Sequence, residues 1–227
     1  MSQVNNLKML RILVVENSNI ASQSFYSRSL MQFIRNLIHL RCLSLRGCTD
    51  LTLPYSLGNL KYVETLDLSD SECSTIPDVL WKLGRLMHLY LPYCHSNRKL
   101  RLDGLGMSLE ILGSFHSRFC LPRDLSKLTN ILRALKDIVH ENLEDLEQFI
   151  NHLSNLNHLR VSSLTIKVHD FGINSNRQKD GLKSLTILKE LKLLTMPREF
   201  INRVEVVNGE QGPGYDKISH VASDEIR

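Results

Sequence analysis

Five cysteines and nine histidines are spread through this 227-residue chain, and they are the first place to look for chemistry. A nucleophilic thiolate needs a base beside it and an electropositive, partly open setting, whereas a zinc site needs ligands at close spacings. Cys42, Cys48, Cys73, Cys94 and Cys120 are an odd number with no C-x-x-C pairing, so they read as reduced thiols. No H-E-x-x-H places two histidines on one helical face, His152 and His158 are too far apart for a helical pair, and His39 and His88 read as rim histidines. Asp67, Asp70 and Glu72, with Asp50 and Glu64 nearby, would hold a cation only if their oxygens converged on one point. Asp67 falls on a strand and the other two in the turn after it, so the group reads as a solvated rim. There is no G-x-x-x-x-G-K, and Gly104 to Gly113 lacks the spacing of a dinucleotide fingerprint. Neither catalysis nor a cofactor is expected.

Cys48 belongs instead to a pattern. Segments starting at Leu37, Leu60 and Leu83 lie 23 residues apart and match position by position: Leu40, Val63 and Leu86; Leu43, Leu66 and Leu89; Leu45, Leu68 and Leu91; Cys48, Ser71 and Cys94. Leu53-Pro54 is matched by Ile76-Pro77, and Leu57 by Leu80. A period of this length with L-x-x-L-x-L-x-x-N/C is the leucine-rich repeat, one short strand and one return segment per turn of a solenoid. One turn cannot bury its own leucines. Stacked turns can, each leucine excluding water against its counterparts at roughly 25 cal/mol per Å². Cys48, Ser71 and Cys94 then mark a turn that wants a small side chain able to hydrogen-bond or pack inside the coil.

Elsewhere the period survives with irregularities. Leu7, Leu10, Leu13 and Val15 form an opening repeat whose return is lengthened by the polar stretch Asn17 to Ser29, and Leu109 and Leu112 continue the ladder. Leu125, Leu128 and Ile131 begin another unit, with one extra residue near Leu132. Apolar residues at 143, 146, 149, 150 and 153 predict a helical return between Ile138 and Leu153. Leu153, Leu156, Leu159 and Val161 give a further strand, and Leu185, Leu188, Leu191 and Leu193 the last clear one. The expected architecture is an α/β solenoid: a leucine-rich-repeat horseshoe of about eight turns, a parallel sheet on its concave face and irregular, 3-10 or helical returns on its convex face. It occupies residues 1–202, and much of the glycine-bearing polar tail, 203–227, is expected to be loop or poorly ordered.

A solenoid offers a surface, because outward residues one period apart become neighbours about 4.8 Å apart. Arg41, Glu64, Met87 and Glu110 should form one row, Ser44, Asp67, Tyr90 and Gly113 another, and Arg46, Ser69 and Pro92 a third. Arg41 beside Glu64 is an opposite-charge pair on adjacent strands. Farther on, Asn157, His158, Arg160, Ser162, Lys189, Glu190 and Lys192 occupy equivalent outward positions. The expected protein-binding set is Arg41, Ser44, Arg46, Glu64, Asp67, His88, Tyr90, Tyr93, His158, Arg160, Lys189 and Lys192, with Tyr90 and Tyr93 as aromatic anchors.

Composition narrows the class of partner. With 42% hydrophobic and 23% charged residues and a net charge of +4, the chain is an ordinary globular one with no long basic run. Arg98, Lys99 and Arg101 read as a solvated loop, so no nucleic-acid partner is expected. No apolar stretch is long enough to span a bilayer, the amino end does not resemble a secretory signal, and no N-x-S/T sequon occurs. The cytoplasm is the expected compartment. The opening repeat starts close to Met1 with no visible polar cap, which predicts a piece of a longer receptor or a truncated product whose apolar end associates.

The strings LIHLRCLSLRGC, LPYSLGNLKYVETLDLSDSECSTIPDVLWKLGRLMHLYLP and LSNLNHLRVSSL resemble the repeat region of plant nucleotide-binding immune receptors, the coiled-coil class of disease-resistance proteins. The resemblance covers residues 7 to 200 and is carried most specifically by the I-P-x-x-L-x-x-L step from Ile76 to Leu83. It implies a non-catalytic module that restrains an ATP/ADP-binding switch domain of the same receptor and takes part in recognising a pathogen effector or a guarded host protein. The family's coiled coil and nucleotide-binding motifs are not in this chain, so nucleotide binding is carried over to no residue. The alternative is a substrate adaptor of a ubiquitin ligase, which should carry an F-box or similar helical hook.

Overall fold

The computed structural model of the chain describes residues 9–18, 32–94, 100–102, 105, 108–117, 119–128, 132–136, 138–140, 149, 152–153, 160–161, 164–167, 190–194, 206–207, 210–211 and 223–226. The chain divides into two compact units, Met1–Ser114 with Phe119–Leu121, and Phe115–Arg118 with Pro122–Arg227.

In the first unit the described strands are β1 (Ile12–Val14), β2 (Cys42–Ser44), β3 (Leu51–Thr52), β4 (Thr65–Asp67), β5 (Glu72–Thr75), β6 (His88–Tyr90), β7 (Tyr93–Cys94) and β8 (Ile111–Gly113). Strands β1, β2, β4, β6 and β8 lie side by side, all parallel, with Leu13, Leu43, Leu66, Leu89 and Leu112 in register. Parallel neighbours need a long crossover, and the return half of each repeat supplies it. Leu43, Leu66, Leu89 and Leu112 are fully buried, as are Leu40, Val63, Leu86 and Leu109 one turn before them. The entry to each strand is the same tight turn: the N–H of Leu40, Val63 and Leu86 donates to the carbonyl of Leu37, Leu60 and Leu83 respectively. One carbonyl then accepts two N–H groups at the start of each pairing. Arg11 takes those of Arg41 and Cys42, Arg41 those of Glu64 and Thr65, Glu64 those of Met87 and His88, and Met87 those of Glu110 and Ile111.

The exit from the strand is equally regular. Asn17, Gly47 and Asp70 hold the same turn position in consecutive repeats, with φ of 50°, 66° and 58°. Asn, Asp and Gly are the residues that enter this left-handed region at least cost. One residue later sits the rung. The Cys48 thiol donates to the Val15 carbonyl at 3.4 Å, and the buried Ser71 hydroxyl donates to the Leu45 carbonyl while accepting from the Cys48 N–H at 3.2 Å. Each small side chain thus ties its own turn to the equivalent carbonyl of the repeat before it.

Beyond the turn, β3, β5 and β7 form a second parallel sheet. It is an addition to the expected architecture, built from strands of two to four residues, too short to leave a periodic signal. The returns then close through 3-10 turns at Tyr55–Asn59 and Leu80–Lys82. At Gly58 a β-carbon would press on Val79 and Lys82 of the next return, so the absent side chain sets how closely adjacent turns stack.

In the second unit the described strands are β9 (Ala134–Lys136), β10 (Ile138–His140), β11 (Arg160–Val161), β12 (Leu164–Lys167), β13 (Glu190–Leu194), β14 (Val206–Val207), β15 (Glu210–Gln211) and β16 (Ser223–Ile226). A helical turn at Pro122–Leu125 runs into a 3-10 turn at Ser126–Leu128, and Leu128, Leu132 and Leu135 are buried. Leu132 therefore follows Leu128 by four residues instead of three, the extra residue expected there. Phe115 and Phe149, both buried, stack with centroids 6.0 Å apart. Strand β9 pairs with β11 in parallel, and β10, β12, β13 and β16 form a separate parallel sheet.

Two expectations change here. Ile138–His140 is a strand and not the start of a helix, while Phe149, His152 and Leu153 are helical and the remainder of that return lies outside the described residues. Leu191 and Leu193 pair with Leu164 and Ile166 of β12, not with the equivalents Leu159 and Val161 that leucine spacing selects. The alternating Leu164-Thr165-Ile166 makes a strand of its own that leucine counting passes over. In the tail, β14 pairs with β15 in an antiparallel ribbon, and β16 adds to the edge of β13. Among the described residues no helix is long and apolar enough to cross a membrane.

Candidate protein-binding surface

The face of the first unit's sheet opposite the leucines is built by strand alternation, so residues on either side of each core leucine point away from the core. That gives two in-register rows across five strands: Ile12, Cys42, Thr65, His88 and Ile111, and Val14, Ser44, Asp67, Tyr90 and Gly113. Leucine counting traced the second row and took only His88 from the first. The missed members were legible in principle, since position i−1 of a strand faces the same way as i+1.

The charged residues that flank these rows pair with one another. Arg41 Nη1 lies 3.0 Å from Glu64 Oε1, the pair expected from their spacing, and Arg46 grips Asp70 Oδ2 through Nε at 3.0 Å and Nη2 at 2.9 Å. The Asp70 hydrogen bond and charge push the Arg46 guanidinium pKa still higher. Asp67 accepts at one oxygen from the Ser69 N–H at 2.9 Å and hydroxyl at 2.6 Å, which fixes its carboxylate at the strand end. Thr65 Oγ1 and His88 Nδ1 are 3.0 Å apart, tying β4 to β6 on the outward side. Tyr90 lies over Gly113, in the space a β-carbon there would need. Tyr90 is half-buried, its ring edge against the Gly113 backbone.

Other expected members stand elsewhere. Ser44 is in the row but only 6% exposed, and its hydroxyl is buried with no hydrogen-bond partner; a small side chain between Val14 and Asp67 is covered by its neighbours and offers no contact atom. Tyr93 is not on this face at all. It starts β7 in the second sheet and meets Phe119 edge-on at 5.5 Å, because the chain turns between Tyr90 and Tyr93. Arg160 lies on β11, in register with Ala134, and Lys192 on β13, between Thr165 and Glu225, so the two belong to different sheets. His158 and Lys189 lie outside the described residues.

Ile12 and Val14 are 62% and 52% exposed, so the face opens apolar at β1 and becomes polar and aromatic towards β6. Nucleophilic chemistry gets no support from its thiol: burial, and then the negative charge of Asp67, pushes the Cys42 pKa up, away from thiolate. Among the described residues no three His, Cys, Asp or Glu side chains gather to hold a metal ion. What the face offers is shape, hydrogen bonds and paired charge, the means of recognising another protein.

A family model for the leucine-rich repeat region matches residues 1–208. This chain belongs to the leucine-rich-repeat family. Three leucine-rich-repeat relatives, all from Arabidopsis thaliana, give the context. The chain is 32% identical over 198 residues to the probable disease resistance protein RF9, covering 85% of this chain and 18% of that protein. It is 30% identical over 197 residues to the probable disease resistance protein RXW24L, covering 85% and 20%. To the probable disease resistance RPP8-like protein 4 it is 34% identical over 165 residues, covering 70% and 17%. The chain spans about a fifth of the length of these relatives. Among solved structures, the repeat ectodomain of the Arabidopsis receptor kinase HAESA shows a loose likeness, 20% identical, with a TM-score of 0.43 over 72% of this chain and 31% of that one.

Proposed function

We propose that this chain is the recognition and autoinhibition module of a plant intracellular immune receptor, acting in the cytoplasm without catalysis of its own. Its partners in this reading are a nucleotide-binding switch domain of the same receptor and a pathogen effector or guarded host protein. The repeat domain spans residues 1–202, with 203–227 following it. The observation that carries the reading is the match over 85% of the chain to disease resistance proteins. The outward face supports it physically: Tyr90 is an aromatic platform flanked by His88 and Asp67, and Arg41, Glu64 and Arg46 mark its margins. His158, Arg160, Lys189 and Lys192 extend the contact set in the second unit. Nothing in these relatives' names favours a ubiquitin-ligase adaptor.

The test is a pull-down of the full chain with the nucleotide-binding module of a matched disease resistance protein. Replacing Tyr90 and Arg160 with Ala should weaken capture while the circular dichroism spectrum is retained. Unchanged capture moves the contact surface to the convex returns or the lateral edge, and no capture of the unmodified chain removes the switch domain as a partner.

A further inference from the structure

The charges of the first unit are divided between two places. On the outward face they pair, Arg41 with Glu64 and Arg46 with Asp70. The segments that lead into the strands, residues 32–40, 55–63 and 78–86, contain Arg35, Lys61, Lys82 and Arg85 and one carboxylate, Asp78. The whole chain has 28 basic and 24 acidic residues, a net charge of +4, and these three segments carry +3 of it, four cations less one carboxylate. All four cations are exposed, and none makes an ion pair among the described residues.

Lys61, Lys82 and Arg85 are also held in place. His39, Tyr62 and Arg85 occupy one position in three consecutive repeats, three residues ahead of the register partners Cys42, Thr65 and His88. The His39 ring stacks on Tyr62 with centroids 6.1 Å apart, and the Arg85 guanidinium lies over the same ring at 4.9 Å. Lys82 sits over the Trp81 ring at 5.3 Å, and the Lys61 ammonium donates to the Lys82 carbonyl at 3.4 Å. Tyr62 and Trp81 are themselves 41% and 51% exposed. Cations resting on aromatic faces lose less side-chain freedom when a partner arrives than cations on free stems.

We propose that this lead-in edge is a second docking surface, separate from the outward face and independent of the reading above, and that it takes an acidic segment of a protein partner. The complementarity is one of charge and layout. The cations are distributed over three consecutive repeats, with one or two in each, a layout that suits successive carboxylates along an extended chain better than one phosphate group.

The probe is a fluorescein-labelled deca-glutamate peptide, titrated by fluorescence anisotropy into the full chain at low salt, beside anionic phosphatidylserine vesicles in a flotation assay. The expected result is salt-sensitive peptide binding that Lys61→Gln/Arg85→Gln weakens about tenfold, while Arg41→Gln/Arg46→Gln, an equal change in net charge, leaves it within about twofold. Arg35→Gln/Lys82→Gln should weaken it likewise, which keeps the test open if the first pair unfolds. No peptide binding, equal losses in the two kinds of variant, or vesicle capture without peptide binding overturns the proposal; the last points to a membrane surface instead.

Discussion

Ser71 shows how much one small side chain carries in this molecule. Its hydroxyl, wholly buried, satisfies the Leu45 carbonyl and the Cys48 N–H of the preceding repeat together. Ser71→Ala removes this bridge, leaves the Cys48 N–H and the Leu45 carbonyl only their long mutual hydrogen bond of 3.4 Å, and should cost about 1–3 kcal/mol, read from urea denaturation; Ser71→Cys, which places at this rung the residue found at Cys48, should lose less. Cys48 adds a pH dependence. Burial pushes its thiol pKa up; the hydrogen bond to Ser18 opposes that and the charge of Glu16 adds to it. A raised folded-state value means the fold prefers the protonated thiol, so this contribution is complete below about pH 8.5, the ordinary thiol value, and is lost as pH rises through the folded value. The urea midpoint should therefore fall as pH rises above about 8.5, and Cys48→Ser should flatten that decline.

At the level of the element, position in the sheet decides what a leucine is worth. Leu66 on β4 has Leu43 and Leu89 in register on either side and is fully buried, whereas Leu13 on β1 has one such neighbour among the described residues and is half-buried. Leu66→Ala should cost about 2–5 kcal/mol and Leu13→Ala clearly less, compared as shifts in thermal midpoint. The strand ladder from Leu40 to Leu112 was legible in the sequence because each repeat places its core residues with one fixed interval. The Arg41–Glu64 pair and the Cys48 rung followed from the same interval. What escaped had no interval to betray it. Strands β3, β5 and β7 are too short, β12 advertises itself by alternation instead of leucines, and β16 lies in a segment whose composition reads as loop. The site was legible in part for the same reason: a row tracked through position i+1 gave Asp67 and Tyr90 but passed over Thr65 and Ile111, and spacing alone could not show that Ser44 is covered or that the chain turns away before Tyr93.

At the scale of the molecule, the first unit separates two kinds of electrostatics. Its sheet face spends charge on internal pairs, which favours recognition by shape and hydrogen bonds, while its lead-in edge holds Lys82 and Arg85 over aromatic rings, without an ion pair among the described residues. The two surfaces can be altered independently, because both are read out one residue per repeat from different positions of the same unit. Arg41 and Glu64 stand 23 residues apart, as do Thr65 and His88. That constancy reaches back to the gene. Unequal recombination that copies the DNA for residues 60–82 inserts a whole number of codons, preserves the reading frame, and delivers a new strand whose leucine already meets its neighbours. One meiotic accident lengthens every stripe by a single rung, and the duplicated codons are then free to diverge at the outward positions alone.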